Sequence, residues 1–402
     1  MARPVAPVRQ SQRPMDGASR RGLVPWRRQP PGQGLHLWTR VVLACVTTFI
    51  FVVGWSLGHA LTMTGGGTMS ERVAEWARNH YLGPLVTFGE WLTYSPPKKG
   101  GTVNVHFNKL GGNVVHKQKH YHGLVPIIPD NLTPIAGHRL PGEGIWREVE
   151  TVKGKPAVFK TYLRFSSVYT SYYAGLVSMD QRLLRFSLRP GTEDPGPGNW
   201  GAPVYLPSGS RTGLMATFNS GFRIYNSGGG FYLHGRYQGA LVNGVASEVY
   251  YKNGRLAIGT WGRAGLHMGP NVAAVRQNLH LIVINGKVPA SVDQNVEGAW
   301  GATLGGGYYV WRSGICETRD KRIIYAYGPA LNVRELATLL KRAGCQTGME
   351  LDINPDWMSF MYYLAKNHPG NPTPVNLLPT QIQPADRYYF PASRDFTAVF
   401  AR

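Results

Sequence analysis

The sequence predicts an α+β fold, with a large mixed or mostly antiparallel sheet, few helices and one preceding N-terminal transmembrane helix. Three observations support this prediction. From Gly144 onwards, short runs of β-branched and aromatic residues alternate with turn residues. Glycine (50 residues) and proline (29 residues) are abundant, which is typical of chains with many turns. In this region, Leu331–Gly344 combines helical periodicity with helix start and stop signals.

Length and charge limit the classes of function. With 402 residues and 43% hydrophobic content, the chain can bury the core of one large or two medium domains. Its formal net charge of +21 favours polyanionic surroundings, such as nucleic acid, anionic lipid or a phosphate-bearing polymer. We expect no nucleic-acid partner, because an apparent membrane anchor follows the basic N-terminal segment.

The N-terminal segment is predicted to contain a basic tail and a membrane anchor. Residues 1–40 contain eight arginines and one acidic residue, Asp16, and are predicted to be a disordered cytoplasmic tail. Val41–Gly58 has 18 residues without a charge, so residues 41–60 are predicted to span a membrane once. The arginines place the tail in the cytoplasm and the main domain outside it. A cleaved signal peptide is the alternative, because Gly58-His59-Ala60 has small residues at a cleavage spacing.

Residues 61–143 are predicted to form a stalk helix and a basic linker. Met69–Leu92 has a helical spacing of apolar residues, interrupted at Gly83-Pro84, and nothing in it indicates chemistry. Between Lys98 and His122 the linker has five lysines, four histidines and no acidic residue. Because the histidines lack acidic or cysteine neighbours, a solvated linker is favoured over a metal site. They are His106, His116, His120 and His122.

Residues 144–402 are predicted to form the sheet domain. Its strands are predicted at Ala157–Phe165, Ser171–Leu176, Leu183–Leu188, Leu214–Phe218, Gly230–Leu233, Val249–Tyr251, Leu256–Ile258, Val272–Val275, Leu279–Ile284 and Ala398–Phe400. Arg189–Pro207 is predicted to be a long surface loop, and the chain after Tyr363 is predicted to be mostly loop. In the helix, Asn332 and Glu335 have the spacing of a capping box.

The helix leads directly into Gly344–Met358, which contains three of the chain's 22 acidic residues. On a strand, Glu350, Asp352 and Asn354 would share one face, because successive side chains alternate. Two carboxyl groups at this spacing, with Cβ atoms roughly 6–7 Å apart, suit acid–base or metal chemistry. The alternative for Glu350 is a structural ion pair with an arginine.

Other candidate groups lie near turns. Thr217–Arg223 places Asn219 and Ser220 at the end of a strand, where asparagine also serves simply as a turn former. Ser220 lacks the flanking residues of a nucleophile elbow, so a serine hydrolase is not supported. Five arginines would suit phosphate oxygens if they converged, although a single arginine is more often structural. They are Arg223, Arg236, Arg263, Arg276 and Arg312.

Two further features limit the chemistry. The glycine clusters at 228–230 and 305–307 lack the pattern of a phosphate-binding loop, so nucleotide binding is not predicted. Cys316 and Cys345 can form a disulfide if the domain lies outside the cytoplasm, and two buried thiols are the alternative. No cofactor is predicted.

The order of six motifs resembles the phosphodiester glycosidase family. They are TFNSGFR, GGGFYLHGR, IGTWGR, VRQNLHLIVINGK, ELATLLKRAG and MELDIN, within residues 144–402. The family takes its name from the enzyme that removes N-acetylglucosamine from a phosphodiester and so uncovers mannose 6-phosphate. The chain is most similar to the membrane-anchored actinobacterial branch. After Leu351-Asp352 it has Ile353–Asp356 where that family has a glycine run and a serine.

The resemblance implies an extracytoplasmic hydrolase that cleaves a sugar 1-phosphodiester or a related phosphate-bearing envelope glycan. Asn219 and Gly221 match the family's early strand-end motif. Arg276 matches the arginine before its second core strand, and Asp352 matches its acidic residue. Because the departing phosphate is a weak base, electrostatic stabilisation of its charge should dominate catalysis.

Expected roles follow from this chemistry. Asp352 is expected to act as a base or to stabilise an oxocarbenium ion, with Glu350 as its partner. Arginines would bind the phosphate, and polar groups would bind the sugar. The substrate-binding residues expected are Asn219, Gly221, Arg223, Arg276 and Asn354.

Two other functions stay open. A non-catalytic module would bind an envelope glycan in the same cleft without turnover. A metal-dependent phosphodiesterase would hold a hard divalent cation with Asp352, Asn354 and Asp356. The partners expected are a phosphate-bearing sugar or envelope polymer and the cell membrane, which is also the expected location.

Overall fold

The structure, a computed structural model, describes residues 36–62, 68–114, 121–262, 264–293, 299–301, 308–365 and 368–402. Most of the predicted basic tail therefore lies outside the described residues, as do His116, His120, Arg263 and the glycine cluster at 305–307. The chain divides into two compact units, Met1–Ser56 and Leu57–Arg402.

The apolar N-terminal run forms helix α1 (Leu37–Thr62), which contains the predicted span at residues 41–60. None of its residues is buried, and it is apolar over most of its length. A helix of 26 residues is about 39 Å long, which exceeds the ~30 Å hydrocarbon core of a bilayer. Among the described residues, α1 is the one helix long and apolar enough to cross a membrane.

Two short helices follow, on either side of the interruption that the sequence predicts at Gly83-Pro84. They are α2 (Met69–Asn79) and α3 (Gly83–Thr93), and the break lies just before Gly83. Pro84 is the second residue of α3, where its missing N–H is tolerated because the first helical N–H groups have no partner within the helix. Tyr81, with φ of 63°, turns the chain between the helices.

The strands, numbered along the chain, form three sheets. The first has the order β1 (Asn113–Val114), β2 (Arg147–Val152), β3 (Lys155–Leu163), β4 (Ala174–Asp180), β14 (Arg322–Leu331), β13 (Val310–Thr318), β15 (Cys345–Glu350) and β12 (Leu281–Ile284). The second has the order β10 (Leu256–Thr260), β9 (Ala246–Tyr251), β11 (Val272–Gln277), β7 (Phe231–Leu233) and β8 (Arg236–Gln238). The third has the order β17 (Thr373–Asn376), β16 (Phe360–Leu364), β6 (Leu214–Asn219), β18 (Phe396–Ala401) and β5 (Leu184–Arg189).

Neighbouring strands in these sheets run antiparallel wherever the structure describes their pairing. Apolar side chains from all three sheets meet in one core, which includes Phe218, Phe231 and Tyr325. The predicted α+β class, mostly sheet with few helices after an apolar N-terminal helix, is confirmed.

Helix α4 (Val333–Arg342) covers the first sheet and leads into β15. The predicted capping box is present: the side chain of Asn332 accepts a hydrogen bond from the Glu335 N–H, and the Glu335 carboxylate accepts one from the Asn332 N–H. Leu336, Leu339 and Leu340 are fully buried against the sheet. Local end signals and an apolar stripe therefore suffice to place this helix.

Strands β13 and β15 are also joined covalently. Cys316 and Cys345 form a disulfide, and their Cα atoms are 5.7 Å apart. Disulfides persist in oxidising compartments, so this bond suits a domain outside the cytoplasm.

We expect the Cys316→Ala/Cys345→Ala variant to lose about 3–4 kcal/mol of unfolding free energy, because the bond closes a loop with a sequence separation of 29 residues. Urea unfolding of the full chain in detergent measures this loss. The matched control is Cys45→Ser, since Cys45 is an exposed free cysteine. An unchanged midpoint in the double variant would show that the bond is not formed in the folded protein.

Candidate functional site

The acidic stretch leaves the sheet earlier than the sequence predicts. Strand β15 ends at Glu350, so Asp352 and Asn354 do not continue a strand face. Beyond Glu350 the Leu351 N–H bonds the Ser313 carbonyl (2.8 Å), and the Asp352 N–H bonds the Ser220 carbonyl (3.3 Å). Pro355 cannot donate a ladder hydrogen bond, which favours this early end. The backbone thereby carries Asp352 to the point where β6, β13 and β15 meet.

Asp352 is a buried carboxylate beside an arginine. Only 4% of the residue is exposed, and its Oδ2 lies 3.6 Å from Nη2 of Arg394. Its Oδ1 accepts a hydrogen bond from the Asn354 N–H at 2.9 Å. Burial raises the pKa of Asp352, while the charge of Arg394 and hydrogen bonds from the backbone oppose that rise. The carboxylate is thus held in place and electrostatically balanced by Arg394.

Glu350 has a different partner. Its Oε1 lies 2.5 Å from Nη1 of Arg312, and both side chains are buried. Arg312 also donates to the Leu331 carbonyl at 3.0 Å. Burial raises the pKa of Glu350 to about 7, although Arg312 lowers it. The arrangement matches the structural ion pair that the sequence left as the alternative for this residue.

Arg276 is fully buried and surrounded by acceptors. Its Nε donates to Oδ2 of Asp395 at 2.8 Å, and Nη1 donates to the Gln277 carbonyl at 2.8 Å. Nη2 donates to the Phe222 carbonyl and lies 3.8 Å from Asp194. Arg276 therefore ties the loop after β6 to the start of β18, and its charge is shared with two carboxylates.

Arg394 lies between the carboxylates of Asp352 and Asp194. Its Nε is 3.6 Å from Asp194 Oδ2, and its Nη2 is 3.4 Å from the Gly221 carbonyl. The indole of Trp357 lies under the guanidinium, with 5.4 Å between the ring centroid and Cζ. Within the described residues its Nε has no hydrogen-bond partner although it is buried. This N–H faces the Asp194 carboxylate, so Asp194 and Asp352 together balance the charge of Arg394.

Sequence reasoning did not identify Arg394, Asp395 or Asp194. Asp194 lies in the predicted surface loop Arg189–Pro207, yet it is buried and accepts a hydrogen bond from the Ile224 N–H at 3.1 Å. Arg394 and Asp395 lie in the segment predicted to be loop, directly before β18. The sequence did contain one signal: Arg394 and Asp395 are adjacent, carry opposite charges and directly precede an apolar strand. Charged residues are rarely buried unless they are paired, so this arrangement indicates a buried ion pair.

Arg223 is covered by helix α2. Its Nη2 forms an ion pair with Glu75, and its Nη1 donates to Oδ1 of Asn79 at 2.8 Å. The Asn79 Nδ2 donates in turn to Oε2 of Glu193 at 2.7 Å. Burial raises the pKa of Glu75 to about 8, although Arg223 and Arg394 lower it. A helix expected to carry no chemistry thus places a carboxylate among the arginines of the site.

The remaining predicted residues contact other protein groups: Asn219 and Gly221 approach distant segments, and Asn354 bonds within its own loop. Asn219 is buried; it donates to Ser313 Oγ at 3.1 Å, and its Oδ1 accepts from Tyr325 at 2.6 Å. A Cβ at Gly221 would lie 2.6 Å from the Asn278 side chain, so this close approach requires glycine. The Asn354 Oδ1 accepts from the Asp356 N–H at 2.9 Å. Asn219 and Gly221 therefore shape the loop that carries Arg223.

The arginines considered in the sequence do not all converge. Arg223 and Arg276 lie at this cluster, and Arg312 supports Glu350 behind it. Arg236 lies elsewhere, with its guanidinium over Trp200 (5.2 Å). Among the described residues, no group of three or more His, Cys, Asp or Glu could hold a metal ion.

No protein-family model and no curated protein matches the sequence. Solved structures show a weak likeness at the level of the fold. The catalytic domain of zebrafish N-acetylglucosamine-1-phosphodiester alpha-N-acetylglucosaminidase, auto-inhibited by its pro-peptide, has a TM-score of 0.37 and 10% identity over 64% of this chain and 87% of that chain. A hypothetical protein from Synechocystis has a TM-score of 0.32 and 11% identity over 63% of this chain and 64% of that chain. No residue role follows from likenesses at this level.

Proposed function

We propose that this protein is a membrane-anchored hydrolase outside the cytoplasm that cleaves a sugar 1-phosphodiester or a related phosphate-bearing envelope glycan. The observation that carries the proposal is the buried pair of Asp352 and Arg394, with 3.6 Å between Oδ2 and Nη2. A carboxylate beside a guanidinium suits a positively charged sugar centre that is losing a phosphate. The motifs that resemble the phosphodiester glycosidase family support the same conclusion.

In the proposed reaction, water attacks the anomeric carbon and the bond from that carbon to the phosphate oxygen breaks. Asp352 accepts a proton from the water, and the phosphate leaves with the bonding electrons. Arg394 and Arg223 bind the departing phosphate, because a guanidinium matches two phosphate oxygens. Glu350 and Arg276 act indirectly by holding the segments on which Asp352 and Arg223 lie.

Sugar binding is assigned to the segment after Asp352. Asn354 is only partly buried, and its Oδ1 is used by the Asp356 N–H. Its Nδ2 can donate to a sugar hydroxyl. Asn219 and Gly221 contribute through the shape of the loop between β6 and Arg223, since the Asn219 amide is occupied by Ser313 and Tyr325.

Sugar release tests the proposal. Full-length protein in detergent is incubated with N-acetylglucosamine 1-phosphate esterified to a small alcohol, and free sugar is quantified with and without a chelator. Release in the presence of the chelator is the expected result. Release that needs an added divalent cation would instead support the metal-dependent phosphodiesterase.

One observation favours the non-catalytic alternative, a glycan-binding module. The segment after Asp352 has no glycine run, and two side-chain-to-backbone hydrogen bonds fix it, from Asn354 N–H to Asp352 and from Asp356 N–H to Asn354. A rigid segment suits binding more than closure around a reacting sugar. Binding of the phosphodiester without any sugar release would establish this alternative.

The Glu75 carboxylate competes with substrate phosphate for Arg223 at a pH above its raised pKa of about 8, where it is ionised. At about pH 9 we expect Glu75→Gln to raise kcat/KM by about tenfold, mainly through a lower KM, because losing ~1.4 kcal/mol of competing ion-pair energy has that effect. The matched control is Asp293→Asn, which removes an exposed carboxylate that pairs with Arg334. A fall in activity for Glu75→Gln would contradict competition and assign Glu75 to the catalytic groups.

A further inference from the structure

A cavity lies away from Asp352, between the third sheet and the second. Its volume is about 660 Å³, within the range of ligand-binding pockets. Residues of β5, β7, β9 and β11 line it, and none of them belongs to the cluster around Asp352 and Arg394. The cavity therefore needs an explanation of its own.

The charge of the cavity is positive. Arg185, Lys252 and His234 line it, and no aspartate or glutamate is among its described lining residues. In the described part of the chain, neither Arg185 nor Lys252 has a carboxylate partner, and the Arg185 guanidinium lies over the Phe400 ring, 4.6 Å from its centroid. Burial lowers the pKa of Arg402, and the charge of Arg185 lowers it further. An anionic ligand beside Arg185 would offset this repulsion between like charges.

The walls of the cavity are aromatic. Tyr232 and Tyr237 have ring centroids 4.8 Å apart and are tilted by 48°, and 55% of Tyr237 is exposed. Tyr250, Tyr251 and Phe186 complete the aromatic lining. Tyrosine presents an apolar ring face together with a hydroxyl, so it can cover the C–H face of a sugar ring and bond its hydroxyls. The combination of charge and rings suits a sugar that carries a phosphate.

One residue that lines the cavity, Tyr250, lies on the sheet face that leads to the buried charges around Arg276. Tyr250 lines the cavity and stands opposite Ala274, while Glu248, two residues away, stands opposite Arg276. Residues two apart on a strand share a face and are ~7 Å apart. The Tyr250 hydroxyl lies 2.6 Å from Thr397 Oγ1 and 3.3 Å from Glu248 Oε1. Tyr250 thus separates the cavity from the buried charges around Arg276.

We infer that this cavity is a second binding site that holds a phosphate-bearing saccharide, with Arg185 and Lys252 on the phosphate and Tyr232 and Tyr237 against the sugar rings. The inference rests on the proposed function for the identity of the polymer, of which this site would hold a segment that is not cleaved. Such a site would keep a long polymer on the protein between cleavage events.

Binding measurements on full-length protein in detergent test the inference. The probe is a synthetic tetramer of hexoses joined through 1,6-phosphodiesters, and the comparison ligands are the neutral tetramer and a twelve-residue oligothymidylate. Asp352→Asn is present in every protein, so the probe stays intact. The test variant carries Arg185→Gln and Lys252→Gln, and a second test variant carries Tyr237→Ala. The control carries Arg319→Gln and Lys341→Gln, which are exposed elsewhere.

We expect the phosphodiester tetramer to bind and the Arg185→Gln/Lys252→Gln variant to bind it at least tenfold more weakly, while the control binds it as before. Tyr237→Ala should weaken both the phosphodiester and the neutral tetramer. Unchanged affinity in both test variants, or oligothymidylate binding as tightly as the tetramer, would overturn the inference. Weaker binding in the test variants together with no sugar release by the unmodified protein would support this site and contradict only the hydrolase.

Discussion

Asp352→Asn is expected to reduce sugar release from the phosphodiester by roughly 100- to 10,000-fold, the range for loss of a catalytic acid or base. The amide keeps the shape of the carboxylate and can still accept the hydrogen bond from the Asn354 N–H, which is 2.9 Å from Oδ1 in the native protein. It cannot accept a proton from water or balance the charge of Arg394. Steady-state kinetics measure the loss, and a thermal unfolding curve shows whether the fold is kept.

Asp356→Asn is the comparison that separates the mechanisms. The proposed hydrolase needs Asp352 but not Asp356, so we expect less than a threefold change in activity for this variant. A large loss of activity in both variants, together with loss of the unmodified protein's activity when a chelator is added, would favour the metal-dependent phosphodiesterase. Equal activity of Asp352→Asn and the unmodified protein would contradict the assignment of Asp352.

Asp395→Asn is expected to destabilise the protein by about 3–5 kcal/mol, because it leaves the charge of a fully buried arginine without its main partner. Arg276 has no exposed surface, and its Nε donates to Asp395 at 2.8 Å. Asp194 is farther away, at 3.8 Å from Nη2, and cannot replace this contact. Urea unfolding of the full chain in detergent measures the effect through the midpoint and slope.

Two variants complete this experiment. Arg276→Met combined with Asp395→Leu should recover part of the lost stability, because removing both charges avoids an unpaired buried ion. Asp293→Asn removes one partner of an exposed ion pair with Arg334 and should leave the unfolding midpoint unchanged. A midpoint for Asp395→Asn that matches the Asp293→Asn control would show that Arg276 does not depend on Asp395.

Many of the strands could be predicted from local pattern, but two of the longest, β13 and β14, could not. β14 (Arg322–Leu331) is buried on nearly every residue, and β13 (Val310–Thr318) buries Arg312, Ser313 and Glu317. A strand covered on both faces loses the alternation of apolar and polar residues that reveals a strand. The polar residues of β13 also make this strand hard to predict from sequence. They are buried only because distant segments supply their partners.

Part of the candidate site could likewise be predicted. Asp352 stands out locally because it follows an apolar strand in a chain with few acidic residues. Arg394, Asp194 and Glu75 do not, because a single charged residue in a loop or helix is usually solvated. They become part of the site only because the fold brings distant segments together. Glu75 and Arg223, for example, are separated by 148 residues in sequence and form an ion pair.

The sequence by itself determined the α+β class, the apolar helix α1, the capped helix α4 and the position of an acidic group after β15. These features depend on hydropathy, periodicity and end signals within a few residues of each other. Only the tertiary structure decided which charges face each other. Glu350 and Asp352 are two residues apart, yet one pairs with Arg312 and the other with Arg394. The reason is physical: a buried charge is stable only beside an opposite charge, and the fold supplies those partners from remote parts of the chain.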